Sequence, residues 1–283
     1  MKKYLYSFLT LLALMLIGCG SDNDKSFSVY DDGNGTKSPR ISKIIIVDYN
    51  DGNITNKRED KYIYNKNNIL VEVVGKGSDT YSYKYEYKYR ENKQLMEKVF
   101  SSSKVHSVIV YNYSDSLYMN NVELPVLTSE SKKTLQDGIL VPQPMITLYY
   151  HYEVNTEGKA VRLKNTTIQM YSQEHEGKSY MYDSNGKVIQ VLSPDGSKEI
   201  YTYDDRQRIK SIEHYLKDSE NGNIYIGGKD NFIYKGDLLK VKEVYYRSNE
   251  NEKFELSSKK TYTYENKPYY EAPSLVHIDE EIE

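Results

Sequence analysis

The sequence predicts an all-β protein with little helix, an antiparallel meander of repeated β-hairpins forming an open twisted sheet or a partly closed, barrel-like one. Three observations carry this. Apolar residues recur at period two through most of the chain and rarely at helical spacing. A near-duplicate stands at Tyr180-Met-Tyr-Asp183 and, 21 residues on, at Tyr201-Thr-Tyr-Asp204. Between the periodic runs lie short turn signals such as Asn185-Gly186 and Ser193-Pro-Asp-Gly196.

Each repeat is a strand, a turn and a return strand. Asn-Gly tolerates the positive φ of a tight hairpin, and Pro pre-sets φ at the second position of a turn. Weaker copies occur at Tyr62-Ile-Tyr64-Asn65, Tyr87-Lys-Tyr89, Tyr150-His-Tyr152-Glu153 and Phe232-Ile-Tyr234. The last, Tyr262-Thr-Tyr264, has no return strand and is expected to end the sheet. Their variable spacing implies hairpins of differing length.

From Tyr81 to Tyr89, five tyrosines (Tyr81, Tyr83, Tyr85, Tyr87 and Tyr89) alternate with Ser82, Lys84, Glu86 and Lys88. Only a strand sorts them onto two faces. Tyr suits a pleated, half-buried surface, so packing is the first explanation for the chain's 31 tyrosines. An uncovered row would instead offer a flat platform for a glycan or an extended peptide. The absence of Trp weakens the glycan version.

The rhythm breaks between about 114 and 144, where Pro125, Pro142 and Pro144 intervene. The expectation there is an irregular insertion, with a short helix over Ser129 to Gln136 behind a Ser cap. Otherwise residues 41–283 read as one β domain.

The N-terminus reads as an address. Lys2 and Lys3 precede an apolar stretch from Phe8 to Ile17 interrupted only by Thr10, too short to span a bilayer and typical of a secretory signal over 1–18. Leu16-Ile-Gly-Cys19 resembles the lipobox of bacterial lipoproteins, which implies acylation of Cys19, the single cysteine. Ser21-Asp-Asn-Asp24 is similar to the surface-export signal of lipoproteins from Gram-negative gut anaerobes. Residues 19–40 are then a flexible acidic tether. These resemblances imply a lipid-anchored outer-membrane protein exposed at the surface, with the periplasmic face as the alternative.

The tyrosine repeats resemble the YD repeat, Tyr-x-Tyr-Asp followed by Gly-Arg and spaced aliphatics. Tyr180, Tyr182, Asp183, Gly186, Lys187, Val188 and Val191 match one unit. Tyr201, Tyr203, Asp204, Arg208, Ile209 and Ile212 match the next, with Gln207 in place of Gly. YD proteins wind many units into a shell, and this chain has too few for a shell of that kind. Taken whole, the chain resembles uncharacterised lipoproteins with a porin-like β domain, a family that supplies no activity.

Several chemistries find no support. Removal of Lys2 and Lys3 leaves a net charge of about −5, with Lys and Glu alternating along strands, so nucleic acid is not an expected partner. The five histidines are far apart, and Glu174-His175-Glu176 reads as an exposed turn before Gly177. No metal, cofactor or catalytic residue is assigned, although a carboxylate pair of a glycan-processing enzyme would leave no local motif. Spanning the bilayer with these strands is not expected, because their outward faces are tyrosine or charge.

Overall fold

In the computed structural model, the structure describes residues 39–77, 82–103, 105–120, 124–136, 139–140, 146–170, 172–218 and 222–267. The first nine strands are β1 (Arg40–Asn50), β2 (Asn53–Tyr64), β3 (Leu70–Gly77), β4 (Ser82–Tyr89), β5 (Leu95–Ser102), β6 (His106–Tyr118), β7 (Pro125–Gln136), the two-residue β8 (Ile139–Leu140) and β9 (Ile146–Val154). Then come β10 (Ala160–Met170), β11 (Gln173–Tyr182), β12 (Val188–Leu192), β13 (Lys198–Tyr203), β14 (Ile209–Lys217), β15 (Ile224–Lys235), β16 (Leu238–Tyr246) and β17 (Glu255–Glu265). Among the described residues there is no helix.

Each strand pairs antiparallel with the next, except that β8 pairs only with β7, and β7 passes directly to β9. The ladder closes where β1 pairs with β17, from Arg40↔Glu265 to Asp48↔Ser258. The result is a 16-stranded antiparallel barrel, the closed form of the expected meander. As expected, Tyr262 and Tyr264 lie on the last strand, but their return partner is the first.

The repeat is the means of building this wall. At the second Tyr of each unit the strand reaches an Asx-capped turn. The side-chain oxygens of Asn65, Asn155, Asp183 and Asp204 each accept from the backbone N–H groups two and four residues on, at 2.8 to 3.1 Å. The residue two before the return strand then takes a positive φ, as at Gly186 (78°), Gly158 (75°), Asn68 (61°) and Gln207 (64°). This is a type I turn closed by a bulge, and the register shifts beside it, between Met181 and Tyr182 for example.

One correction concerns 114–144. Ser114–Tyr118 complete β6, and Pro125–Gln136 form β7, paired with β6 on one side and β9 on the other. The expected helix over Ser129 to Gln136 is strand. Ladder bonds from two neighbours outweigh a local Ser cap, which is a weak preference. At the end of β6, Met119 bridges Ala160, and Asn120 N–H donates to the Ala160 carbonyl at 2.8 Å. Met119, Val126 and Ala160 form a small core there.

Candidate functional site

Inward side chains arrange themselves in tiers. Nearest the tight turns, seven tyrosine hydroxyls donate to a backbone carbonyl on the preceding strand of the wall. These are Tyr64 to Ile41, Tyr113 to Leu95, Tyr152 to Leu127, Tyr182 to Leu163, Tyr203 to Val188, Tyr234 to Ile209 and Tyr264 to Leu239, at 2.5 to 3.0 Å. The basic residue of the repeat lies over the ring of the next unit's tyrosine. Lys187 sits 4.9 Å from Tyr203, Arg208 4.1 Å from Tyr234 and Arg162 4.9 Å from Tyr182. Burial pushes the phenols of Tyr182, Tyr203 and Tyr234 up to about 12, so they stay neutral donors.

The next tier holds Tyr62, Tyr111, Tyr150, Phe232 and Tyr262 beside Ile44, Val73 and Ile212. Ile212 is 0% and Tyr111 1% exposed. Side chains facing a water-filled channel would be wet, so the barrel is filled at this level.

Beyond the aromatic tiers the interior turns ionic. Lys242 Nζ lies 2.9 Å from Asp230 Oδ2, His214 Nε2 lies 3.5 Å from Asp230 Oδ1, and His214 Nδ1 lies 4.0 Å from Glu199 Oε1. Lys178 Nζ is 3.5 Å from the same Glu199 oxygen. The chain of alternating basic and acidic side chains thus runs from β11 to β16 through residues of five strands. Burial would raise the Asp230 carboxyl, but Lys242 and His214 outweigh it and hold it below the usual carboxylate range. Glycines at 227 and 228 leave room for Leu216 and His214 to lie against the β15 backbone.

The tyrosine row falls on this inner face. Tyr81 lies outside the described residues, as do Cys19 and the whole of 1–38. Tyr83 is 8% exposed, and Tyr85 and Tyr87 pack against the main core. Tyr83 OH donates to Asp60 at 2.5 Å, its ring pressed over Gly75, and the Tyr85 ring centroid is 5.1 Å from that of Phe100. Tyr89 is half-buried on the same side. An exposed platform is therefore not what Tyr83, Tyr85 and Tyr87 form. Closure of the barrel put their face inside, which strand alternation could not decide.

The outer face carries the complementary set. Across neighbouring strands Lys43 meets Glu59 at 3.3 Å, Lys88 meets Glu97 at 2.7 Å, Lys229 meets Glu213 at 3.8 Å and Lys259 meets Glu243 at 3.0 Å.

A second correction concerns Glu174-His175-Glu176, which is strand and not turn. These residues pair with Gln169, Ile168 and Thr167 of β10, and the turn signal at Gly177 marks a bulge instead. Gly177 is needed because a Cβ would strike Thr166, whose hydroxyl accepts the Lys178 N–H at 2.8 Å. On its other side β11 meets β12 only over Ser179 to Tyr182. The β12–β13 hairpin is short, pairing Gln190, Val191 and Leu192 with Ile200, Glu199 and Lys198. Its neighbours rise past it, leaving a notch in the rim above Lys178 and Glu199. Among the described residues no group of three or more His, Cys, Asp or Glu is placed to hold a metal.

Fold and site together define a closed antiparallel β-barrel with a packed aromatic interior, a buried ionic chain and a notched rim. No family model and no curated protein matches this chain. Among solved structures it is similar to a porin-like protein from Bacteroides uniformis, at 14% identity over 80% of this chain and 98% of that one, with a TM-score of 0.43. It is also similar to a porin-like protein from Bacteroides vulgatus, at 10% identity over 81% and 99% of the two chains, with a TM-score of 0.34. A third likeness is to the Photorhabdus luminescens Tc holotoxin pore, at 8% identity over 72% of this chain and 14% of that chain, with a TM-score of 0.27.

Proposed function

We propose that this protein is a lipid-anchored domain of the outer membrane, surface-exposed, acting as a non-enzymatic binding or structural module. The carrying observation is the charge ladder on the barrel's outer face. A spanning barrel needs an apolar outward band about 25 Å tall, and the Lys–Glu pairs on β1, β2, β4 and β5 occupy that face here. With the interior filled as well, the barrel suits neither lipid contact nor conduction. Attachment then falls to the acyl chain on Cys19.

The non-enzymatic part rests on the carboxyls. Among the described residues, the carboxyls of Asp195, Asp204, Asp230, Glu243 and Glu265 are held below the usual range by hydrogen bonds or neighbouring cations. A general acid for glycan cleavage needs the opposite displacement.

Cell fractionation tests the anchor: Cys19→Ala should move the protein from the membrane to the soluble fraction. Retention in carbonate-washed membranes would sink the reading. A protease tag after Asn251, in the exposed β16–β17 connection, separates the surface from the periplasm by its loss from intact cells or only from lysed ones.

A further inference from the structure

Closing the barrel removes the two edge strands that an open sheet would show, yet strands of unequal length leave stretches of edge behind, and one of them lies on β11. Along Gln173 to Lys178, β11 runs beside β10 on one side and has no paired strand on the other among the described residues, because β12 begins its pairing only at Ser179. At about 3.3 Å per residue this edge is roughly 20 Å long. Across the notch, β14 keeps β13 as far as Tyr215 and continues through Leu216 and Lys217. From β11 to β14 is three strand spacings, about 14 Å, so an added strand has room.

We propose that this edge receives an extended cationic peptide from a partner protein, which pairs with β11 as an added strand. The inference rests on the binding-module reading and names its site. Main-chain N–H and C=O groups of alternate residues point into the notch, as strand addition requires. Glu174 and Glu176 lie on one face of that edge, opposite to the face of His175. Both are exposed, and neither has an ion-pair partner among the described residues. A strand laid alongside places residues two apart beside these carboxylates, so Lys-x-Lys or Arg-x-Arg is the recognised spacing. At the base of the edge the Lys178 N–H donates to the Thr166 hydroxyl at 2.8 Å. Charge near a free edge is also how proteins blunt self-association. That role predicts no partner and is separable by experiment.

The probe is an acetylated, amidated heptapeptide, Thr and Lys alternating, with a Thr–Glu version as control, added to the purified protein. Amide hydrogen exchange over 173–178 should slow with the Lys peptide and not with the Glu peptide. Glu174→Lys with Glu176→Lys should weaken the Lys peptide about tenfold and admit the Glu peptide. Unchanged exchange over 173–178, or equal slowing by both peptides, overturns the proposal. Slowing that depends on protein concentration without peptide also overturns it, in favour of a second copy. None of these results depends on Cys19, so they leave the anchor to its own test.

Discussion

Gln207 holds φ at 64° at the position where the neighbouring repeat has Gly186. A side chain in this left-handed region costs about 1 kcal/mol relative to glycine. Its carbonyl, which accepts from Lys187, is kept by any residue. Gln207→Gly is therefore expected to raise stability by about 0.5–1 kcal/mol in urea unfolding, whereas Gly186→Gln should lower it. Asp230 carries a different lesson. Its folded pKa lies below the unfolded value, so its contribution is complete above about pH 4 and is lost as pH falls through the folded value. Asp230→Asn removes the buried carboxylate that faces Lys242 and His214 and should cost about 3–5 kcal/mol at neutral pH. Melting followed from pH 7 to pH 2 should show the variant starting lower and losing less on acidification than the native chain.

At the scale of the element, the repeat motif is a fastening between neighbouring strands. The first tyrosine fills the core, the second bonds a carbonyl across the ladder, Asx shapes the turn, and the basic residue covers the next tyrosine. Tyr182→Phe and Tyr234→Phe each keep the ring and remove the hydroxyl from a single carbonyl. Each should cost about 1 kcal/mol, and the pair should add, because β11 and β15 are four strands apart. Marked non-additivity in the double variant would mean that the tyrosine tier acts as one cooperative ring. Hairpin length is the other elementary variable. The two best-matched units, only 21 residues apart, enclose the short β12–β13 hairpin, and that shortness is what opens the notch beside β11.

For the whole molecule, closure is the decisive event. Once β17 finds β1, one face of every strand is committed to a shared interior that holds the tyrosines, while the charge ladder is left outside. This distribution is why Cys19→Ala is expected to release the protein: Lys–Glu pairs stand on the barrel's outer face. The proposed strand-addition site lies where the wall is low beside the short β12–β13 hairpin.

Strand periodicity, the hairpin turns and the turn-forming role of Asn185-Gly186 were legible in the residues. Those signals are local, set by φ preference, by alternation and by short motifs. The inward direction of Tyr83 to Tyr87 was not, because alternation separates two faces without naming the covered one. Nor was the meeting of Lys178, Glu199, His214, Asp230 and Lys242, which lie up to 64 positions apart and converge only through register. Tertiary structure alone decided that Ser129 to Gln136 is strand and that Glu174-His175-Glu176 borders a gap. In both cases the outcome depends on which neighbours arrive with unsatisfied backbone groups, and a single sequence window does not contain them.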